Sequence, residues 1–401
     1  MKILLEDTIP FGSDYLNDLA EVTTYAWQSL QPEMLSDIDI LALRSTTKVT
    51  PQLLQYANKL KFVTTATAGT NHLDKAFLDK AGITHSSAAG CNAVAVAEYV
   101  LSVLLHAHKS QKISLADVTV GIVGAGNVGS ALSAILKTLN INYKLCDPPL
   151  AKSGDSRDFV SMDEIAQCDV ISLHVPFIKS GPYATEALID NAFIEQLNAN
   201  QLLINACRGE VIDENALVTK LNGNNAPTCV LDVFDNEPNI NTALFEYAWF
   251  VTPHIAGHSV EGKVRGTQMI YEQICEVLGK PVEKRLSDFL LPTQPIRITL
   301  KQPQARSLSY DDLATIFLKV YDVAIDDDKT RETLPPQKGE SGKLIEADIG
   351  DRFAQLRKQY RVRRECSAYT LHTTQDVSTE IAQTLRQLGF TIKHANTVLE
   401  Q

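Results

Sequence analysis

The segment TVGIVGAGNVGSALSAILKTLNINYKLCD, ending at Asp147, constrains this chain more than any other. An apolar run leads into Gly124-Ala125-Gly126-Asn127-Val128-Gly129, an amphipathic stretch follows, and a second apolar run closes on an acid. Strand, glycine turn, helix and strand make a βαβ unit, whose parallel strands need both faces covered. The hexapeptide alone is weak evidence, and its context gives it a role. The first glycine permits a tight turn, the second lets backbone approach a pyrophosphate, and the third lets helix pack on strand. The helix N-terminus offers N–H donors and partial positive charge to the phosphates. Asp147 stands where an acid accepts hydrogen bonds from the adenine ribose. A carboxylate there repels a 2′-phosphate, so the expected cofactor is NAD, held by Gly124, Gly126, Asn127, Val128, Gly129 and Asp147.

With 401 residues the chain is too long for one ordinary core. Before the glycine motif, KILLED, EVTTYA, DILALRS, KFVTTATAG and ITHSSA read as strands, with DYLNDLA, PEMLSD, PQLLQYANK and HLDKAFLDKAG as helices between them. Strand–helix alternation implies a second parallel sheet. NAVAVAEYVLSVLLHAHKS reads as a long helix, apolar nearly all round and therefore buried. Beyond the motif, DVISLHVP, QLLINACR, TCVLDVF and FVTPHIAG continue the strands, and HSVEGKVRGTQMIYEQICEVLGK is helical and expected to return to the first domain. Past Leu291, LPTQPIRI reads as a linker and DDLATIFLKVYDV as a helix. The polar run holding Asp326, Asp327, Asp328, Pro335, Pro336 and Gly339 reads as a surface loop, and a strand–helix–strand closes the chain. The expected fold is α/β: two Rossmann-like doubly wound domains, 1–95 with 255–290 and 96–254, plus a smaller α+β domain over 291–401.

A formal net charge of -11 argues against a nucleic-acid partner. The short apolar run at the N-terminus meets Glu6 and Asp7 at once and reads as a buried strand, not a signal peptide. No stretch has the length of a membrane span, so no membrane partner is expected. The seven cysteines are scattered and never spaced C-x-x-C, as in a reduced, cytoplasmic protein. No metal site is expected, because His106 and His108 point to different helix faces.

Oxidising a secondary alcohol with NAD needs a base for the hydroxyl proton and a cation for a neighbouring carboxylate. His254 in TPHIAG is a suitable base. Glu237 in DNEP can bond the other ring nitrogen and fix the tautomer. Arg208 in NACRG can grip a carboxylate with its planar fork. Each follows a strand, where open parallel sheets place their ligands.

GIVGAGNVG, CDPP, LINACRGEVIDENAL, LDVFDNEP and TPHIAG, in that order, resemble the D-2-hydroxyacid dehydrogenases. The resemblance implies a catalytic trio of Arg208, Glu237 and His254. RSTTKV, TATAGTNH, AAGCNAVAVAEYV, CDPPLA and HIAGHSVEGKVRGT are similar to one branch of that family, which acts on a phosphorylated four-carbon hydroxy acid in pyridoxal phosphate synthesis. The end of the chain resembles that branch's dimerisation domain, which implies a homodimer. By this resemblance Ser45 and Thr67 contact substrate, and Asp147, Val175, Asp232 and Gly257 contact NAD. Two positions depart from the pattern. Val175 replaces a frequent Thr, so only a backbone contact survives. His258 replaces an expected substrate-binding Tyr, and is expected to hydrogen-bond the substrate instead. Arg44, Lys48, Lys263 and Arg265 concentrate positive charge on an acidic background, as a phosphorylated acid requires. Two alternatives stay open: 3-phosphoglycerate dehydrogenase, whose trio is the same, and a non-catalytic NAD-sensing corepressor on this fold.

Overall fold

A computed structural model describes residues 1–334, 337–338, 344–345 and 348–394. The chain forms two compact units: Met1–Asn92 with His258–Leu291, and Ala93–Gly257 with the described residues from Pro292 on.

In the first unit five parallel strands, β1 (Lys2–Glu6), β2 (Glu21–Tyr25), β3 (Ile40–Leu43), β4 (Phe62–Thr65) and β5 (Thr84–Ser87), lie in the order β2-β1-β3-β4-β5. The two-residue period of a strand splits its apolar residues into two layers. Ile3, Leu5, Ile40 and Phe62 pack with Tyr15 and with Val264, Ile270 and Ile274, while Leu4, Leu41 and Val63 pack with Leu35, Leu54 and Leu78. The returning segment supplies the helix Val260–Leu278, which Ser259 caps by accepting the Gly262 N–H at 2.9 Å.

The expected helices between these strands are shorter than the sequence suggests. DYLNDLA keeps only Gly12–Leu16, PEMLSD is a single 3₁₀ turn over Pro32–Leu35, and PQLLQYANK forms turns alone. A few residues joining strands leave no room for the cooperative growth that follows a costly first turn.

The second unit has six parallel strands, β6 (Thr119–Val123), β7 (Asn142–Cys146), β8 (Val170–Leu173), β9 (Leu202–Asn205), β10 (Thr228–Leu231) and β11 (Phe250–Val251), in the order β11-β10-β9-β8-β6-β7. The strand order reverses between β6 and β8, and a crevice at the carboxyl ends there is where such sheets bind ligands. The apolar helix Ala93–Lys109 is buried as expected, packing on Asn127–Thr138 and on Tyr310–Phe317. Its His106 bonds Asp322 at 2.7 Å and His108 meets the Tyr310 ring edge-on.

The C-terminal part departs from expectation in two places. The supposed linker contributes β12 (Ile296–Ile298), which pairs in parallel with β15 (Thr370–Thr373), itself paired with β16 (Thr391–His394). A separate antiparallel pair joins β13 (Gln337–Lys338) and β14 (Leu344–Ile345). The supposed loop around Asp326–Asp328 is a helix, Val323–Thr333, capped by Asp322 on the Ala324 N–H. Two of its acids are buried acceptors: Asp326 accepts from Tyr321, Tyr360 and Arg361, and Asp327 from Val251 and Arg331. Pro335, Pro336 and Gly339 lie outside the described residues. All seven cysteines are buried, and none forms a disulfide among the described residues.

Candidate active site

The three expected catalytic residues lie in the second unit, just past β9, β10 and β11. After β10, Asp232 is followed by a turn through Asn236, at φ 57°, to Glu237. Glu237 Oε1 accepts the Phe234 N–H at 3.0 Å, and its Oε2 lies 2.6 Å from His254 Nδ1. Burial alone would raise the Glu237 carboxyl. The hydrogen bond and charge of His254, together with the Phe234 N–H, outweigh it and leave the carboxyl below its usual value. With Nδ1 committed to Glu237, the imidazole keeps Nε2 for a substrate proton.

His254 itself adopts φ 56°, a left-handed conformation that costs a residue with a Cβ about 1–2 kcal/mol. Asp232 holds the turn in place. Its carbonyl accepts the His254 N–H at 2.6 Å, and its carboxylate accepts the Ile255 and Ala256 N–H groups at 2.8 and 2.9 Å and the Thr252 hydroxyl at 2.6 Å. Burial pushes this carboxyl up to about 6, against the pull of His254, Thr252 and the two amides. Asp232, expected to touch NAD, also builds the base's turn.

Arg208 follows β9 in a turn that Asn205 braces, donating from Nδ2 to the Arg208 carbonyl at 2.9 Å and accepting the Cys207 N–H at 3.2 Å. Arg208 Nη1 donates to the Cys207 carbonyl at 2.6 Å. A Cβ on Gly209 would overlap the Phe234 carbonyl, so the Arg208 turn lies backbone-to-backbone on the strand end leading to Glu237. Glu237 and His254 are in direct contact, and Arg208 joins them through this packed backbone.

The glycine motif has the geometry a dinucleotide needs. Gly124 has φ 91°, and an added Cβ would lie 2.7 Å from the His174 carbonyl carbon. A Cβ on Gly129 would overlap the Gly124 carbonyl, whereas one on Gly126 meets nothing within 4 Å. Two glycines therefore serve the protein's own packing, and the middle one leaves its face open. The helix Asn127–Thr138 has no side-chain cap, which leaves its first N–H groups for an anion. Asp147 accepts the Ala125 N–H at 2.9 Å and the Leu150 N–H at 3.0 Å, which fixes its carboxylate beside the glycine turn. Arg157 donates to the Ala125 carbonyl and to Ser130 Oγ, both at 2.9 Å. Val175 offers no hydroxyl. These residues fit NAD.

The expected substrate residues Ser45, Thr67 and His258 belong to the first unit. Ser45 is exposed in the loop after β3, and His258, half-buried, opens the returning segment. Thr67 Oγ1 lies 2.8 Å from Thr65 Oγ1, which His72 Nε2 meets at 3.0 Å. The loop of Ser45 is organised by Glu6, a residue the sequence did not single out. Glu6 is fully buried at the end of β1 and accepts from the Arg44 N–H and the Thr8, Thr46 and Thr47 hydroxyls at 2.6–3.0 Å. Its available signal is an acid closing an apolar strand at a sheet's carboxyl edge. Burial, and after it the positive charge of the Arg44 guanidinium, lower the Lys263 ammonium. Arg265 is turned to the Cys91 carbonyl at 2.5 Å, and Lys48 is exposed. A cleft of about 400 Å³ in the second unit is lined by Glu186, Glu210, Asp213, Glu214 and Asp235, and those charges repel an anionic substrate.

Among the described residues no helix is long and apolar enough to cross a membrane. Residues 97–256 match the family described as D-isomer specific 2-hydroxyacid dehydrogenase, NAD binding domain, and residues 290–389 match a domain of unknown function. Erythronate-4-phosphate dehydrogenase of Pseudoalteromonas atlantica is 46% identical over 373 residues, 93% of this chain and 96% of that protein. The protein of the same name from Marinobacter nauticus is 41% identical over 98% of this chain and all of its own length. Among solved structures, D-lactate dehydrogenase from Aquifex aeolicus, complexed with NAD and lactic acid, aligns over 69% of this chain and 96% of its own with a TM-score of 0.53 at 24% identity. NAD-bound 3-phosphoglycerate dehydrogenase of Entamoeba histolytica covers 70% of this chain and 95% of its own with a TM-score of 0.56 at 23% identity. At such identities these two structures speak for the fold, whereas the near full-length relatives decide the family. The chain belongs to the erythronate-4-phosphate dehydrogenase family of the NAD-binding D-isomer-specific 2-hydroxyacid dehydrogenases.

Proposed function

We propose that this chain oxidises 4-phospho-D-erythronate to 2-oxo-3-hydroxy-4-phosphobutanoate with NAD, a step in making pyridoxal 5′-phosphate. The observation that carries the reading is the 2.6 Å contact of Glu237 with His254 Nδ1, on a turn held by Asp232. His254 Nε2 takes the proton of the C2 hydroxyl, and Glu237 stabilises the imidazolium that forms. Arg208 grips the substrate carboxylate. Gly124, Gly126, Asn127, Val128, Gly129 and Asp147 hold NAD, with Val175, Asp232 and Gly257 completing the contacts to it. When bound, NAD supplies the hydride acceptor. Ser45, Thr67 and His258 bind substrate, and Arg44 with Lys263 attracts its phosphate.

The domain roles follow: 1–95 with 255–290 binds substrate, 96–254 binds NAD, and 291–401 pairs two copies. The exposed Ile325 and Val362, 52% and 80% accessible, support that last role. Native mass spectrometry showing only monomer would remove it. The reading also sets the enzyme in the cytoplasm, where its cofactor is found.

His254→Ala should abolish turnover while NAD binding persists. NADH formation with 4-phospho-D-erythronate, and none with 3-phosphoglycerate, is the expected result. The reverse preference would reassign the substrate, and retained NAD binding with no turnover on any hydroxy acid would point to an NAD-sensing protein. His258→Ala should raise KM for the phosphorylated substrate, and an unchanged KM would remove His258 from the site.

A further inference from the structure

The residues from Pro292 on reach the turn that carries His254. Arg363 is 2% exposed. Its Nη1 donates to the Ala256 carbonyl at 2.8 Å and its Nη2 to the Ala95 carbonyl at 2.6 Å. The guanidinium lies 3.5 Å from the centre of the Tyr321 ring, and Glu98 Oε2 stands 4.0 Å from Nη2. Burying a guanidinium is costly unless charge and hydrogen bonds compensate it, so such a residue is a poor filler. Its two carbonyl partners belong to the first turn of the helix Ala93–Lys109 and to the residue two places beyond His254.

Ala256 is therefore held from both sides, its N–H by Asp232 at 2.9 Å and its carbonyl by Arg363. The same C-terminal segment grips the chain before His254 as well. Asp327 accepts the N–H of Val251, the last residue of β11, at 2.7 Å. Arg331, paired with Asp327 at 2.9 Å, donates to the Ala248 carbonyl at 2.7 Å. A left-handed His persists only where its surroundings over-determine it. Here the surroundings include a clamp at Val251 and another at Ala256.

We propose that Arg363 and Asp327 are positioning residues for His254, and that the C-terminal segment clamps the 251–256 turn so that the imidazole stays aimed by Glu237. The catalytic half of this inference rests on His254 being the base. The clamp itself does not, and the two are measured separately.

The full-length chain is compared with its Arg363→Lys, Arg363→Met and Asp327→Asn variants. Lys keeps the charge and loses the planar fork that spans two carbonyls. Amide hydrogen exchange across residues 251–257, measured without substrate, should quicken in every variant that folds. Turnover of 4-phospho-D-erythronate should fall about 10-fold in Arg363→Lys and further in Arg363→Met, since small misplacements at a reacting centre cost that much. The NAD dissociation constant should change by less than turnover does, because the glycine turn does not touch the clamp and only Gly257 of the loosened segment faces NAD. If Arg363→Met fails to fold, Arg363→Lys and Asp327→Asn carry the test. Wild-type turnover number in both, with only a lowered melting temperature, overturns the positioning role. Unchanged exchange at 251–257 overturns the clamp. His254→Ala retaining turnover would instead sink the assignment of the base and leave the exchange result standing.

Discussion

His254 Nδ1 lies 2.6 Å from Glu237 Oε2, and Glu237 Oε1 is tied to the Phe234 N–H at 3.0 Å. The carboxylate therefore cannot rotate away from the imidazole without giving up a backbone partner. It fixes which ring nitrogen faces outward and lowers the energy of the protonated ring. Glu237→Gln keeps the size and loses the charge. Turnover number should fall about 10²- to 10⁴-fold, in line with loss of the acid partner in other His-centred sites. The NAD dissociation constant should not move. Steady-state kinetics with nucleotide titration checks this, and a variant within threefold of wild type in turnover would remove Glu237 from the mechanism.

The glycine motif separates packing from binding. Gly126→Ala adds a Cβ that meets no protein atom within 4 Å, whereas Gly129→Ala drives one into the Gly124 carbonyl. Gly126→Ala should melt within about 2 °C of wild type, as surface changes do, and should bind NAD at least about tenfold more weakly, since its methyl group occupies the approach of the pyrophosphate. Gly129→Ala should lose several degrees of melting temperature. Tight NAD binding by Gly126→Ala would show that the cofactor does not lie over that glycine.

Much of this was legible in the sequence because parallel α/β architecture writes itself as alternating apolar and amphipathic runs. All the strands expected before Pro253 are present, and the trio falls at three of their ends. Roles that consist of a side chain holding backbone atoms are not legible in sequence. Asp232 serves two amides and a hydroxyl, Arg363 serves two carbonyls, and neither pattern leaves a spacing signature. The run at Asp326–Asp328 was misread for a related reason. Three acids in a row resemble a solvated loop, and only tertiary partners reveal that Asp326 and Asp327 are buried acceptors.

Glu6 offers four donors one carboxylate, and those donors belong to the loop of Ser45 and to Thr8. Burial opposes its ionisation, but these four bonds prevail and hold the carboxyl below its usual value. A depressed acid stabilises the fold above its unfolded pKa, and that contribution is lost as pH falls through the folded value. Glu6→Gln turns an amide NH₂ toward donors that need an acceptor. KM for the phosphorylated substrate should rise about tenfold, the loss expected for one unsatisfied buried hydrogen-bonding group, while NAD affinity holds. Equal KM values in the two proteins would show that the Ser45 loop does not bind substrate.

Glu214 gives the clearest pH test of stability. Its Oε1 accepts the Asp235 N–H at 2.6 Å in the acidic cleft of the second unit. Burial raises the carboxyl to about 7; the Asp235 N–H opposes this, and the charges of Asp235, Glu237 and Glu210 add to it. In the unfolded chain the group titrates near about 4.3. Between those values the folded state keeps a proton that the unfolded state has lost, so stability falls as pH rises across that window. Glu214→Gln keeps the acceptor for Asp235 and does not titrate. At pH 4 the two proteins should melt together, apart from any constant offset. By pH 8 the variant should be more stable by about 1–2 kcal/mol, the shift discounted for the part of the group that water reaches, or about 1–2 °C in melting temperature for a chain of 401 residues. Thermal melts from pH 4 to pH 8 read this difference directly. A gap that stays constant across that range would mean that Glu214 titrates alike in the folded and unfolded chain.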